Sequence, residues 1–350
     1  MRLLRKEETD DLKAAKCKEY LKQLSKEGSK CYSDNNKDTK GGTWQVGNDD
    51  VSYHALGNKL PTAFDAIDKV VIKDSAIEPL GDGGKGNTLF PFPTYTFNDI
   101  VPVACHSHND YERDRALFSA LSAGCISVEA DIWPNAGKLN VGHSNPGSGG
   151  QTLQDLYLNP LKSLIDERKA VFPKKPSQGL YLLVDFKGNG DQTWDLLIQA
   201  LAPLRSAGYL SSYDGGSFKQ GLVTVIASGN AIIDGTVPEP IAKANDNAAN
   251  PGRALFVDAR VNKDMSKFSV SNAFFASANF KDAVKSGGGA VSGGDLTKLR
   301  SQVSAAHAKG FKVRYWDILG KDHWQQLIDE GVDLLNVDNL QDVASLNWNI

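Results

Sequence analysis

The sequence predicts an α/β protein whose main part is a (β/α)8 TIM barrel with an N-terminal extension. From Phe97 onward, strand-like apolar runs alternate with helical patterns, and eight such runs follow one another. Barrels of this type place their chemistry at the C-terminal ends of the strands. Polar residues stand at or just beyond those ends, namely His106, Glu129, Asp131, Asp185, Asn230, Asp258, Trp316 and Asp338. A doubly wound open sheet is the alternative, and these polar positions favour the barrel.

The strands are predicted from β-branched and apolar runs bounded by turn residues. In order they are Ile100 to Cys105, Cys125 to Asp131, Leu180 to Lys187, Leu222 to Ala227, Ala254 to Val257, Ala273 to Ala276, Lys312 to Trp316 and Asp333 to Val337. A short extra strand, Lys138 to Gly142, is predicted after the second strand, and it leads directly to His143.

The intervening helices are predicted from apolar residues at helical spacing. The first has Leu117, Phe118 and Leu121 on one face and ends at Gly124. A second is expected around Leu153 to Arg168. Two more are indicated by Trp194, Leu197, Leu201 and Leu204, and by Leu296, Leu299, Val303 and Ala306.

Residues 1–94 differ from the rest and are predicted to be an extension, with the barrel occupying residues 95–350. A charged helix is expected from roughly Glu8 to Glu27, followed by a polar, glycine-rich segment. The segment Gly81 to Gly86 has the glycine content of a phosphate-binding loop, but no helix start follows it. We therefore interpret that segment as a linker.

The composition is that of an ordinary globular protein, with 41% hydrophobic and 23% charged residues. Lys+Arg is 39 against Asp+Glu 42, so the charge balance does not indicate a nucleic-acid partner. No uncharged run reaches the length of a membrane span, and the charged start at Met1 lacks the apolar core of a signal peptide. We expect a monomer that is intracellular, or secreted if a leader is missing, and that contacts a membrane surface only transiently.

Four cysteines are too few for a disulfide scaffold. Cys17 and Cys31 are able to pair within the extension. Cys105 is expected near the outlet of the first strand and Cys125 near the inlet of the second. That offset puts them beyond the roughly 7 Å between Cα atoms that a bridge tolerates, which predicts two buried thiols.

Glu129 and Asp131 end the second predicted strand, and side chains two residues apart on a strand point the same way. Two carboxylates facing one spot repel each other unless a cation lies between them. Asp185 and Lys187 repeat this spacing on the third strand. An oxygen-rich acid set of Glu129, Asp131 and Asp185 predicts a Mg²⁺ or Ca²⁺ site rather than a zinc site. A structural ion-pair cluster is the alternative.

Histidines flank the acids at the predicted mouth of the barrel. His106 follows the first strand and His143 follows the extra strand, so the two are placed to act as base and acid on a metal-bound phosphodiester. Lys187 is expected to hold a phosphate oxygen, and an ordinary ion pair with Asp185 is the alternative. Four further residues are predicted to line the substrate site, namely His108, Asn109, Asn230 and Trp316. The alternatives are that His108 supports a catalytic residue or belongs only to the loop, and that Trp316 packs inside the barrel.

Five segments carry a resemblance to a known family: Cys-His-Ser-His-Asn-Asp-Tyr (105–111), Ser-Val-Glu-Ala-Asp-Ile-Trp (127–133), Val-Gly-His-Ser (141–144), Leu-Val-Asp-Phe-Lys (183–187) and Arg-Tyr-Trp-Asp (314–317). They resemble the fungal altered inheritance of mitochondria protein 6 family. That family belongs to the phospholipase C-like phosphodiesterases, alongside glycerophosphodiester phosphodiesterases and sphingomyelinase D-type toxins. The resemblance covers about residues 95–347 and does not extend to the first 90 residues.

The resemblance implies a Mg²⁺-type site with Glu129, Asp131 and Asp185 at the metal positions. It also implies that His106 and His143 are the catalytic histidines, Lys187 the phosphate-side lysine and Trp316 a wall of the site. The expected activity is cleavage of a phosphodiester in a phospholipid or glycerophosphodiester, with either a cyclic or an open product.

Two other functions fit parts of the sequence. His106-Ser107-His108 has the His-x-His spacing of metal-dependent amidohydrolases, but those sites need further histidines at later strand ends. After His143 the remaining histidines, His307 and His323, fall in predicted helices. A catalytically silent barrel that binds phospholipid headgroups is the non-enzyme alternative.

Overall fold

The computed structural model describes residues 100–113, 115–214, 216–232, 254–285, 289–318, 320–346 and 348, together with five short strands before residue 94. The chain forms two compact units, Met1–Ala76 and Ile77–Ile350. The predicted boundary between residues 94 and 95 stays a prediction. The predicted helix from Glu8 to Glu27, the cysteine pair at 17 and 31, and the linker at 81–86 lie outside the described residues.

The first unit contains an antiparallel sheet of three short strands. Val51–Ala55 is the central strand, and it pairs with Arg2–Arg5 on one side and Gly42–Gln45 on the other. In the second unit, a two-residue pair, Ile77–Glu78 with Phe92–Pro93, precedes the main fold.

Eight parallel strands close into a barrel in the second unit. They are β1 Val103–Ser107, β2 Cys125–Asn135, β3 Leu180–Phe186, β4 Val223–Gly229, β5 Leu255–Arg260, β6 Ala273–Asn279, β7 Lys312–Trp316 and β8 Leu334–Val337. Each pairs with the next, and β8 pairs with β1 through Leu335 opposite Cys105. This closure confirms the predicted (β/α)8 barrel, and the open-sheet alternative is wrong.

Helices cover the outside of the barrel. They are α1 Phe118–Ser122, α2 Asn159–Arg168, α3 Gly190–Ala200, α4 Ala202–Ser206, α5 Phe280–Ala283, α6 Gly293–Ala308 and α7 Trp324–Asp329. The single helix predicted through Trp194 and Leu204 is two helices, because Pro203 lies in the first turn of α4 and has no N–H to continue α3. Within the described residues, no helix combines the length and apolar character of a membrane span.

The interior of the barrel changes from apolar to polar along the strands. Its lower part is a buried apolar cluster formed by Tyr181, Leu183, Ile226, Phe275 and Leu334. Because alternate side chains face the same side of a strand, the next inward positions on these strands are Asp185, Ser228, Ser277 and Asn336. The polar site therefore lies at the C-terminal mouth, on top of a packed apolar layer.

Cys105 and Cys125 form a disulfide bond between β1 and β2, so the prediction of two free thiols is wrong. Val103 lies opposite Cys125 and His106 opposite Ser127, so three steps along β1 match two steps along β2. This bulge draws Cys105 back toward Cys125, and their Cα atoms are 4.7 Å apart. The prediction rested on Cys105 ending a strand that starts at Ile100, whereas β1 starts at Val103 and Cys105 lies in its middle.

Candidate active site

Three carboxylates form one side of the barrel mouth, which we call the acidic wall: Glu129 and Asp131 on β2, and Asp185 on β3. Asp131 and Asp185 lie opposite each other in the β2–β3 pairing. Glu129 and Asp131 are both buried, with relative exposures of 6% and 0%. The spacing therefore brings the three predicted metal ligands to one place. Whether they bind a metal stays a prediction.

The two oxygens of Asp131 differ. Oδ2 accepts a hydrogen bond from the Tyr111 hydroxyl at 2.9 Å and lies 3.2 Å from His143 Nδ1 and 3.1 Å from Lys187 Nζ. Oδ1 is buried and has no hydrogen-bond partner. Burial, with the nearby charges of Glu129 and Asp185, raises the pKa of Asp131 to about 6. A buried carboxylate oxygen without a hydrogen-bond partner costs free energy of folding unless a bound ligand supplies the missing contact.

Lys187 lies between two carboxylates of the acidic wall. Its ammonium is 2.9 Å from Asp185 Oδ1 as well as 3.1 Å from Asp131 Oδ2, and its side chain is 27% exposed. Burial alone would lower the pKa of Lys187, but the Asp185 and Asp131 carboxylates outweigh it and raise the pKa. The other oxygen of Asp185 accepts a hydrogen bond from the Ser228 hydroxyl at 2.7 Å. Lys187 thus remains charged and reachable from the mouth.

Glu129 connects the acidic wall to two histidines and an arginine. Its Oε2 lies 3.3 Å from His106 Nε2, 3.8 Å from His108 Nε2 and 3.9 Å from Arg314 Nη1. Burial by itself would raise the pKa of Glu129, but the hydrogen bond with His106 and the Arg314 charge hold it below its usual range. Glu129 is therefore ionised at neutral pH.

His106 is completely buried and held at both ring nitrogens. Nδ1 is 2.7 Å from Ser127 Oγ, and Nε2 faces Glu129. Burial, followed by the Arg314 charge, lowers the pKa of His106 to about 3. At neutral pH the ring is therefore a neutral imidazole with a defined orientation.

His143 stands on the opposite side of Asp131 and is open to solvent, with 67% of its side chain exposed. A tight hairpin places it there. The extra strand Lys138–Val141 pairs antiparallel with β2, and the connecting residues Ala136 and Gly137 both have positive φ, at 46° and 79°. This is the geometry of the primed turns that join two-residue hairpins.

The loop after β1 presents His108 and Asn109. His108 Nδ1 is 2.7 Å from Asp338 Oδ1, and the hydrogen bond to Asp338, with the Glu129 charge, outweighs burial and raises the pKa of His108. Asn109 takes a left-handed conformation, φ 46°, which Asn tolerates better than most residues. Arg113 then fastens the loop to β8 by donating to the carbonyls of His108, Val337 and Asp338.

Gly229, the last residue of β4, makes room for Asp185. Its φ is +61°, and a Cβ there would lie 2.6 Å from Asp185 Oδ1 and from the Phe186 carbonyl oxygen. Only glycine both adopts this positive φ without strain and lacks the Cβ atom that would clash there. The next residue, Asn230, is exposed and donates from Nδ2 to the carbonyls of Lys187 and Gly188. It supports the Lys187 loop, and its predicted role in substrate binding stays a prediction.

The other side of the mouth, which we call the arginine wall, consists of Asp258 and Arg260 on β5 and Arg314 and Trp316 on β7. Arg314 Nη2 lies 3.7 Å and Arg260 Nη1 lies 3.6 Å from Asp258 Oδ2. Both guanidinium groups lie over the Trp316 ring, with Cζ 5.6 Å and 5.3 Å from its centroid. Trp316 is thus at the mouth, where the sequence places it.

Several polar residues of the site were not assigned a role from the sequence, among them Tyr111, Ser127, Ser228, Arg260 and Arg314. Ser127 was detectable, because it precedes Glu129 by two residues and must share its face of β2. Arg314 likewise precedes Trp316 by two. The partners of Tyr111 and Ser228 depend on loop conformation and strand register, which no local pattern indicates.

The predicted cofactor, Mg²⁺ or Ca²⁺, fits the chemistry of the acidic wall. The donors are carboxylate oxygens, and Asp131 Oδ1 is buried without a partner. In the described part of the chain, however, no group of three or more His, Cys, Asp or Glu side chains is arranged to hold a metal ion. The Lys187 ammonium instead lies between Asp131 and Asp185, and a cation would compete with it for both.

Comparison with known proteins finds a family model described as an AIM6-like phosphodiesterase domain, which matches residues 94–243. An altered inheritance of mitochondria protein 6 homolog from Arthroderma benhamiae is 34% identical over 72% of this chain and 86% of the relative. A protein of that name from Lachancea thermotolerans is 32% identical over 83% of this chain and 76% of the relative.

Solved structures also align with the chain. A putative glycerophosphoryl diester phosphodiesterase from Silicibacter pomeroyi has a TM-score of 0.41 at 10% identity, covering 72% of this chain and 97% of the other. A glycerophosphodiester phosphodiesterase from Thermotoga maritima has a TM-score of 0.37 at 13% identity, covering 71% and 98%. The sequence relatives, at 34% and 32% identity, decide the family. The chain belongs to the altered inheritance of mitochondria protein 6 family and carries an AIM6-like phosphodiesterase domain.

Proposed function

We propose that this protein is a divalent-metal-dependent phosphodiesterase that cleaves a phospholipid or glycerophosphodiester by acid–base catalysis with His106 and His143. The observation that carries the proposal is the setting of Asp131. One of its oxygens faces His143, Lys187 and Tyr111, and the other is buried without a partner beside Glu129 and Asp185. A cation and a phosphate oxygen are the groups that would complete this arrangement.

Glu129, Asp131 and Asp185 are the residues that would hold the cation. When bound, it would neutralise negative charge on the phosphoryl oxygens. Lys187, charged and 27% exposed, would release one carboxylate and contact a phosphate oxygen from the same side. The acidic wall would thus change from a lysine-bridged to a cation-bridged arrangement.

The two histidines are suited to different halves of the reaction. His106 is neutral and oriented by Ser127, and it would accept a proton from an attacking hydroxyl or water only after Glu129 leaves its Nε2. His143 is exposed and faces Asp131 with Nδ1, so its Nε2 side is open toward the leaving group and solvent. These roles require the two rings to lie on opposite sides of the phosphorus.

Phosphorus NMR tests the proposal directly. The purified protein is incubated with lysophosphatidylcholine, sphingomyelin, glycerophosphocholine and glycerophosphoserine, first with Mg²⁺ and then with EDTA. We expect a new phosphorus resonance that EDTA abolishes, and its shift distinguishes a cyclic from an open product. No new resonance with any of a wider panel of diesters would contradict the proposal and favour a barrel that only binds headgroups. Phosphodiesterase activity that survives EDTA would show that the proposed metal dependence is wrong.

A further inference from the structure

Arg260 is a cation at the barrel mouth that the proposed chemistry does not use. It is the last residue of β5, its side chain is 24% exposed, and its guanidinium lies over Trp316. Its only charged partner among the described residues is Asp258, and the 3.6 Å between Nη1 and Oδ2 is too long for a good hydrogen bond. Across the described part of the chain, the Arg260 guanidinium makes no hydrogen bond.

The neighbouring arginine is held quite differently. Arg314 is 3% exposed, donates to Asn336 Oδ1 at 2.9 Å, and lies within 3.9 Å of Glu129 and 3.7 Å of Asp258. The single buried carboxylate of Asp258 is therefore shared by two guanidinium groups. Arg314 is fixed inside the barrel, whereas Arg260 uses none of its five N–H donors in a hydrogen bond to another described residue, which leaves them for a ligand.

Both guanidinium groups already lie over the Trp316 ring. A quaternary ammonium headgroup is typically bound on an exposed aromatic face. Here the ring lies 5.3 Å and 5.6 Å from two guanidinium carbons, so a cationic headgroup would meet like charge where it needs the π face. A carboxylate or phosphate would instead meet the planar N–H donors of the Arg260 guanidinium group beside the apolar Trp316 ring.

We propose that Arg260 and Trp316 form a subsite for an anionic group on the alcohol portion of the phosphodiester, so that the preferred substrates carry a carboxylate or a second phosphate there rather than a quaternary ammonium. This inference rests on the proposed function for its setting. It assigns Arg260 a role in substrate selection, with the acidic wall and the histidines responsible for turnover.

The test compares two diesters that differ by one carboxylate, glycerophosphoserine and glycerophosphoethanolamine. We expect kcat/KM to favour the serine diester by about tenfold or more, a typical contribution of a charge-assisted hydrogen bond. Arg260→Gln should reduce that ratio to near one by lowering the serine value alone, and Arg260→Lys should restore part of it.

Lys281→Gln is the matched control. It also removes one positive charge near the mouth, but Lys281 is already paired with Asp317 at 2.7 Å and is not part of the subsite. We expect the serine-to-ethanolamine ratio to be unchanged in this variant. An equal loss in both variants would mean that general charge, not the Arg260 fork, selects the substrate, and would overturn the inference.

The outcomes separate the inference from the proposed function. If both diesters are cleaved with a wild-type ratio near one, or if Arg260→Gln keeps the ratio, the inference is wrong and the proposed function stands. If neither diester is cleaved, the same pair is compared as ligands of the wild-type protein by calorimetry. Tighter binding of the serine diester that Arg260→Gln removes supports the subsite without catalysis, and equal or absent binding overturns it.

Discussion

The two walls of the barrel mouth are built from opposite charges and held in opposite ways. The acidic wall comes from neighbouring strands β2 and β3, and it is tied to β1 by the buried disulfide and by the His106–Ser127 contact. The arginine wall comes from β5 and β7, which are separated by β6, and its ionic contacts are 3.6 Å or longer. The acidic wall has a fixed geometry, whereas the arginine wall combines a fixed residue, Arg314, with Arg260, whose one ionic contact among the described residues is long.

The comparison indicates a division of labour. Groups that transfer protons or hold a cation must keep their positions to a fraction of an ångström, and the proposed function places these groups on the rigid acidic wall and its histidines. Groups that recognise varied headgroups need available donors more than a fixed position, and that is the role proposed for Arg260. Substitutions on the acidic wall and its histidines should therefore affect all substrates alike, and substitutions at Arg260 should change the choice between substrates.

The largest effect is expected on the catalytic side. His106→Ala, His143→Ala or Glu129→Ala should each lower turnover by roughly a hundredfold or more for every substrate, because each removes a group to which the proposed function assigns proton transfer or cation binding. The measurement is kcat on the diester identified by NMR, with circular dichroism to verify folding.

His307→Ala is the control for that series. His307 also pairs with a carboxylate, Asp333 at 2.7 Å, but next to the start of β8 and away from the mouth. The turnover of the His307→Ala variant should match that of the parent protein. Any of the three site variants that retains near-parental turnover would have no place in the mechanism.

The second effect tests the covalent tie between β1 and β2. Replacing both Cys105 and Cys125 by Ser should lower the free energy of unfolding by about 3 kcal/mol, the chain-entropy value for a loop of this length. Urea unfolding measures it, and reduced parent protein should behave like the variant. If reduction leaves the parent's midpoint unchanged, the bond contributes nothing to the rigidity of the acidic wall.

A smaller effect tests how closely Asp185 must be placed. Gly229→Ala should cost about 1–2 kcal/mol for the positive φ and reduce turnover by roughly tenfold, because the new Cβ displaces the Asp185 carboxylate. Gly208→Ala is the matched control, since its φ is +73° and no atom lies within 4 Å of its Cβ position. Equal turnover in the two variants would show that Asp185 tolerates displacement.

The smallest effect concerns the edge between the walls, where His108 faces Asp338. Asp338→Asn should lower the pKa of His108, measured by proton NMR, because burial then acts with less opposition. Since the folded-state pKa of His108 is raised, the pair stabilises the fold below the unfolded value of 6.5 and loses that contribution as pH rises through the folded value. An unshifted His108 in the variant would assign the raised pKa to Glu129 alone.

Much of the barrel was predictable because each strand is a local pattern. The order of apolar runs, the helices between them and the polar strand ends followed from periodicity alone, and the closed barrel confirms them. The errors came from backbone irregularities. A bulge in β1 brought Cys105 to Cys125, and Pro203 divided one predicted helix into two.

By itself the sequence determined the acidic wall, since alternation on a strand obliges Glu129 and Asp131 to share a face, as it does Asp185 and Lys187. It also determined which family the chain belongs to. Only the tertiary structure decided the arginine wall. Arg260 and Arg314 lie far apart along the chain, and they share Asp258 and Trp316 because closure of the barrel sets β5 and β7 on either side of one strand. Contacts across a closed sheet depend on strand order and register, and no local pattern encodes them.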